Sequence, residues 1–153
     1  EFVEREDRGV GTASVQGATL ALLLRDIDGV KDINDTDGHL EGDQVVRRVG
    51  EGGRGVLGRG ERWGRIGGEA FAAVLPGCAP EMALQVAERL GKEIQALNFS
   101  YEGQAFGVTV SQGLANLSEE DSTLDNLFAR ADAAMYEAKR LGKNRIIVAT
   151  VDF

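Results

Sequence analysis

The sequence predicts an α+β fold, a central and mostly antiparallel sheet covered by helices. Three observations predict it. Ala18 to Leu24 is an almost unbroken apolar run, two segments carry hairpin signals around glycine, and two longer stretches place apolar residues at helical spacing. Their order, strand, helix, hairpin, helix, hairpin, helix, strand, is that of helices packed on a sheet of hairpin-linked strands. A length of 153 residues suits one hydrophobic core.

Residues 1–17 are charged and then small, without periodicity, and read as a lead-in to a domain spanning 18–153. The apolar run ends abruptly at Arg25-Asp26-Ile27-Asp28, as expected of a strand buried on both faces whose carboxyl end opens onto a polar site. Asn34 to Gly42 is polar with a turn signal, and Asp43 to Val49 begins a helix. That helix is short, because each glycine of the Gly50–Gly60 cluster costs about 1 kcal/mol against alanine in a helix interior. Arg62–Ile66 and Phe71–Leu75 flank Gly67-Gly68-Glu69-Ala70 as a hairpin, with Trp63 read as packing. From Pro80, Ala83, Val86, Ala87, Leu90, Ile94 and Leu97 mark one face of a helix. A second hairpin joins Phe99–Tyr101 to a strand Ala105–Gly113. Ser122 and Asp125 form a capping-box pattern opening a helix through Leu124, Leu127, Ala131, Ala134, Ala138 and Leu141, with Met135 and Tyr136 expected in the core. Gly142 ends it, and Ile146–Ala149 is a closing strand.

Composition narrows the chemistry. Acids outnumber bases 25 to 17, a formal net charge of −8, which argues against gripping a nucleic-acid backbone but not against one nucleotide held through a metal ion. The longest purely apolar run, Leu20 to Leu24, is far short of the ~18 residues a membrane span needs. A soluble, cytoplasmic domain is expected. Cys78 is the only cysteine, so no internal disulfide or cysteine zinc site can form, and no basic neighbour activates it. The chain starts at Glu1 without a signal-peptide pattern, which reads as a domain excised from a larger multidomain protein.

Two features carry chemistry. Taken alone, Asp26-x-Asp28 followed by Gly29 and Lys31 reads first as a capped strand end with exposed acids, and second as a place where Mg²⁺, which takes one or two carboxylates plus phosphate oxygens and water, sits beside phosphates. The Gly67-Gly68 turn, lacking side chains, lets a ligand approach closely while Glu69 projects from it. Two carboxylates converging from two strands suit phosphoryl transfer, where metal ions neutralise phosphate charge.

These residues resemble the GGDEF family. The match is Asp-Ile-Asp-x-x-Lys-x-Ile-Asn-Asp-x-x-Gly-His-x-x-Gly-Asp (Asp26 to Asp43), Arg-x-Gly-Gly-Glu-x-Phe (Arg65 to Phe71) and Ala-x-x-Ala-x-Tyr-x-Ala-Lys-x-x-Gly-Lys-Asn-Arg (Ala131 to Arg145). Members of that family are diguanylate cyclases, which condense two GTP into cyclic di-GMP and pyrophosphate, on a fold like that of nucleotide cyclases and polymerase palms. The resemblance implies that Asp26, the Ile27 carbonyl and Glu69 bind Mg²⁺ or Mn²⁺, with Glu69 also assisting ionisation of the ribose 3′-hydroxyl. It implies that Asn34 and Asp43 read guanine, that backbone amides of Gly29, Val30 and Lys31 cradle phosphates beside Gly67 and Gly68, and that Lys139 and Lys143 reach the terminal phosphates. Lys143 stands where arginine is common, keeping charge without the bidentate fork. His39, the only histidine, is read as fixing its loop rather than as a base.

Three departures stand out. Ala70 replaces the second acidic residue of the signature. No Asp-x-Leu-Thr-Gly-Leu-x-Asn-Arg segment precedes Asp26. Gly58 and Glu61, with Arg59 displaced by one, stand where a product-inhibition Arg-x-x-Asp belongs, so that site is expected to be absent or weak. Two functions are therefore expected in competition. One is a GTP-binding cyclase domain of reduced activity, working as a transient homodimer. The other is a catalytically degenerate module that binds GTP and regulates a fused EAL phosphodiesterase or another output or sensor domain. A third reading, a class III cyclase or polymerase palm, would not be expected to show the Gly-Gly-Glu hairpin. Gly29, Gly38, Gly42, Gly67, Gly68 and Gly142 belong to these motifs, whereas the Gly50–Gly60 cluster belongs to none.

Overall fold

A computed structural model of the chain describes residues 20–29, 44–49, 62–65, 70–101, 103–117 and 124–149. The strands are β1 (Leu20–Ile27), β2 (Arg62–Arg65), β3 (Ala70–Pro76), β4 (Phe99–Tyr101), β5 (Gln104–Phe106), β6 (Val110–Asn116) and β7 (Ile146–Val148). The helices are α1 (Pro80–Gln95) and α2 (Leu124–Arg140), with a further helical segment at 44–49. Five strands form one sheet in the order β2-β3-β1-β6-β7. All neighbours are antiparallel except β6 and β7, so the expected mostly antiparallel α+β sheet is present.

Strand β1 is central, and all eight of its residues are buried, because alternate side chains face two helical layers. Leu20, Leu22 and Leu24 join Ala72, Val74 and Ala115 against Leu127 and Ala131 of α2. Ala21 and Leu23 join Ala73, Leu75 and Leu114 against Ala83, Ala87 and Leu90 of α1. Each buried leucine is worth about 1.5–3 kcal/mol of transfer free energy. A third cluster of Ile27, Val45, Val46, Val49, Phe71, Ile94, Phe99, Val108 and Val110 lets the 44–49 helix brace the carboxyl end of β1.

Strand β1 continues three residues past the apolar run, so Arg25 and Asp26 are inside rather than at an open mouth. Burial pushes the Arg25 guanidinium down to about 9. Hydrogen bonding to the sheet reaches α1 as well. The buried Gln112 amide donates from Nε2 to the Ala87 carbonyl at 3.0 Å.

Several expectations are corrected. Ala70 is the first residue of β3, not part of the turn. The stretch Ala105–Gly113 is not one strand: β5 pairs with β4 in a separate two-stranded sheet, and β6 belongs to the main sheet. The chain switches between them across Gly107–Thr109. Phe106 is stacked on Phe99 in the ribbon while Val108 turns into the cluster at the end of β1. Tyr136 is 68% exposed, because at 100° per residue it lies far round the helix from the buried stripe of Leu127, Ala131, Ala134 and Ala138. Met135 does pack on the α2-side cluster. Leu141 is 44% exposed, one residue beyond the end of α2. The 1–17 lead-in, Ser122, the Gly50–Gly60 cluster and the Trp63 side chain lie outside the described residues.

The tightest joint is between α2 and β6. A Cβ on Gly113 would lie 2.1 Å from the Ala131 carbonyl oxygen and 2.4 Å from the Met135 nitrogen, both backbone atoms that cannot swing aside. Gly113→Ala must lift α2 off the sheet and is expected to cost about 1–3 kcal/mol of stability. The measurement is the urea unfolding midpoint, and an unshifted midpoint would show that α2 does not rest on this glycine.

Candidate functional site

The register of β1 decides which side chains meet at its carboxyl end. Asp26 is the cross-strand partner of Ala70 on β3 and Ser111 on β6. Its even position turns it to the α2 side of the sheet, where it is 8% exposed. Lys139, in the last turn of α2, forms an ion pair with Asp26 Oδ2. A cation near a helix C-terminus is also favoured by the helix dipole. The neighbouring base is committed elsewhere: Arg140 Nε donates to Glu137 Oε2 at 2.9 Å, and that hydrogen bond lowers the Glu137 pKa. Lys139 is therefore the base of this turn that faces the sheet.

Asp28, read from sequence as the second acid of the pair, has a different setting. Oδ2 accepts from the Thr109 hydroxyl at 2.7 Å and from the Asn144 backbone N–H at 3.1 Å. Oδ1 accepts from the Ser111 hydroxyl at 2.6 Å, and the Asp28 N–H donates to the Thr109 carbonyl at 2.9 Å. Gly29 follows with φ +83°, a left-handed turn that favours glycine. Nothing in the local sequence announces Thr109 or Ser111, since they reach Asp28 only through the β1–β6 register.

Helix α2 ends in a Schellman arrangement: the Lys143 N–H donates to the Ala138 carbonyl at 2.9 Å and the Gly142 N–H to the Lys139 carbonyl at 3.3 Å. Positive φ then continues through Lys143 (65°) and Asn144 (48°). For non-glycine residues the left-handed conformation costs roughly 1–2 kcal/mol each, somewhat less for asparagine. Gln95 of α1 donates to Asn144 Oδ1 at 2.8 Å, and Arg145 Nε to the Lys143 carbonyl at 3.0 Å. Lys143 itself is exposed.

Of the sequence-predicted site residues, the structure thus brings Asp26 and Lys139 into contact and places Ile27 and Gly29 beside Asp26 along the chain. It ties the Lys143 turn to Asp28. Val30, Lys31, Asn34, His39, Asp43, Gly67, Gly68 and Glu69 lie outside the described residues. Among the described residues no three His, Cys, Asp or Glu side chains gather into a metal-holding group, and no helix is long and apolar enough to cross a membrane. A cleft of about 180 Å³ on the α1 side, lined by Lys92, Gln112, Asn144 and Arg145 among others, contains none of the sequence-predicted residues. Ala70 places a methyl group directly across from Asp26, where facing Cβ atoms are about 4.5–5.5 Å apart.

Comparison with known proteins agrees with this architecture. Residues 4–145 match the family model described as diguanylate cyclase, GGDEF domain. The chain is 33% identical over 137 residues to diguanylate cyclase A of Treponema denticola, covering 90% of this chain and 37% of that protein. It is 37% identical over 146 residues to diguanylate cyclase DgcP of Pseudomonas aeruginosa, covering 95% of this chain and 22% of that one. The chain thus spans well under half the length of either relative. The GGDEF domain of DgcB from Caulobacter crescentus, solved in complex with c-di-GMP, superimposes with a TM-score of 0.91 at 33% identity, covering 96% of this chain and 87% of that one. A buried aspartate ending the central strand, a lysine brought to it by the last helix, and a family match over nearly the whole chain lead to one assignment: this chain belongs to the GGDEF family, that of diguanylate cyclase domains.

Proposed function

We propose that the domain binds GTP together with Mg²⁺ or Mn²⁺ and, when two copies face each other, condenses two GTP into cyclic di-GMP with turnover reduced by Ala70. The observation that carries this reading is the Asp26–Lys139 pair. A largely buried carboxylate is held beside a cation at the end of the central strand, and the hard oxygens of Asp26 and the Ile27 carbonyl are the donor type that Mg²⁺ takes. The donor set fits the ion, with Glu69 the further carboxylate and nucleotide phosphates completing the shell.

When bound, the metal would neutralise phosphate charge and lower the pKa of the attacking hydroxyl. The chain's own residues do the rest. Asn34 and Asp43 select guanine, since a carboxylate accepts from the N1–H and exocyclic amine that adenine does not present in that pattern. The amides of Gly29, Val30 and Lys31 and the open Gly67-Gly68 turn take the phosphates, and Lys139 and Lys143 take the terminal ones. Glu69 assists removal of the 3′-hydroxyl proton as that oxygen attacks the α-phosphorus of the second GTP and pyrophosphate leaves. One domain holds one GTP, so both phosphodiester bonds form only across a pair of domains. The absence of an Arg-x-x-Asp at Gly58 to Glu61 supports a cyclase without strong product inhibition.

Ala70 favours a second reading, a GTP-binding regulatory or dimerising module beside a fused output domain such as an EAL phosphodiesterase. Loss of a partner just outside the metal shell commonly costs about 10–100-fold in metal affinity or activity. Enforced dimers of the natural domain, assayed for cyclic di-GMP from GTP, are expected to be active, with Ala70→Glu raising turnover by about tenfold or more. Folded natural dimers that form no product while Ala70→Glu dimers do would select the second reading.

The ion pair makes a separate expectation. Lys139→Met is expected to tighten Mn²⁺ binding to the nucleotide-free domain by about three- to tenfold, because a competing cation is removed, and to weaken GTP binding. Electron paramagnetic resonance titration of Mn²⁺ reads the first and fluorescent-nucleotide binding the second. Weaker metal binding in the variant would contradict the placement of the ion at Asp26.

A further inference from the structure

We infer that Asp28 is a positioning residue for the triphosphate: its carboxylate holds the left-handed turn after α2 in the shape that presents Lys143. This inference rests on the proposed role of Lys143 at the terminal phosphates.

The geometry separates Asp28 from Asp26. A carboxylate offers about four lone-pair sites. Asp28 gives three of them to the Thr109 hydroxyl, the Ser111 hydroxyl and the Asn144 N–H, at 2.7, 2.6 and 3.1 Å. That leaves little capacity for a metal, so the second acid of the motif is a post rather than a ligand. What it supports is an unfavourable conformation. Lys143 and Asn144 both have positive φ without being glycine, and such conformations persist only where the surroundings over-determine them. Asn144 is clamped on two sides, its N–H by Asp28 and its side-chain oxygen by Gln95 of α1.

The backbone donors of residues 141–144 are all engaged. The N–H groups of Leu141, Gly142 and Lys143 bond to helix carbonyls and that of Asn144 bonds to Asp28. Recognition of an anion there falls to the exposed ammonium of Lys143, whose direction is set by the backbone that Asp28 fixes. Thr109 and Ser111, on the chain entering β6, aim the carboxylate, so the sheet, the end of β1 and the last turn form one rigid support.

The test is nucleotide affinity, GTP against GMP, for Asp28→Ala, Asp28→Asn, Lys143→Ala and the double variant of Asp28→Ala with Lys143→Ala. Asp28→Ala is expected to weaken GTP binding by about tenfold while GMP binding stays within about twofold, since GMP lacks the phosphates Lys143 reaches. Asp28→Asn keeps an acceptor for the Asn144 N–H, and the hydroxyl of Ser111 can accept from the new amide, so it should restore most of the affinity. Asp28→Ala should add nothing once Lys143 is alanine. Hydrogen exchange of the Asn144 amide should quicken in Asp28→Ala and stay slow in Asp28→Asn. If Asp28→Ala does not fold, Thr109→Val with Ser111→Ala removes the two aiming donors with the charge intact and should lower the same GTP-to-GMP ratio. A Lys143→Ala loss without an Asp28→Ala loss overturns the positioning role alone. Lys143→Ala binding GTP normally overturns the phosphate role of Lys143 and this inference with it. Asp28→Asn losing Mn²⁺ binding as severely as Asp26→Asn would instead make Asp28 a metal ligand.

Discussion

The close approach of α2 to β6 at Gly113 is the constraint on which the rest depends. A helix separated from a sheet by ordinary side chains would stand back from β1, and its last turn would not reach the carboxyl end of that strand. Here the backbone of Ala131 and Met135 rests where a side chain on residue 113 would be. One turn further on, Ala138 is buried and Lys139 meets Asp26. The turn that follows then falls within reach of Asp28. Packing by alanines and glycine thus converts a sheet position into a polar site.

The polar site joins a buried carboxylate to a partly exposed cation. Asp26 is largely buried, and its carboxylate is paired with the Lys139 ammonium. Lys139 reaches it from the last turn of α2, and its side chain is about one-third exposed, the stem lying along the protein while the ammonium stays near solvent. Ala70 lightens the negative charge beside Asp26 by one carboxylate compared with the family signature. Across the strand from Asp26 there is thus a methyl group, and the charge that meets it comes from Lys139.

Much of this was legible in the sequence, for identifiable reasons. The apolar run Leu20–Leu24 that opens β1, the Pro80 helix and the alanine-rich α2 stripe are strong periodic signals, and Gly142 correctly marked the end of α2. Motif resemblance singled out Asp26 and Lys139 for separate roles, and their contact across 113 residues of sequence was not legible. Non-local facts were not legible. The hydroxyls on Asp28 depend on strand register, the split between β5 and β6 depends on which sheet each residue joins, and Tyr136 was misplaced by proximity in sequence to buried neighbours. The buried Arg25 contradicts the usual expectation for a charged residue, and nothing short of the extended β1 would have put it inside.

The central claim is that the carboxyl end of β1 assembles a metal-dependent guanine nucleotide site. Calorimetric titration of the domain with GTP, repeated with ATP and with the metal chelated, tests it most directly. The account predicts one GTP per domain, bound in Mg²⁺ and at least about tenfold more weakly when the metal is removed or when ATP replaces GTP. Binding that is indifferent to both metal and base, or no binding at all by folded protein, would contradict it.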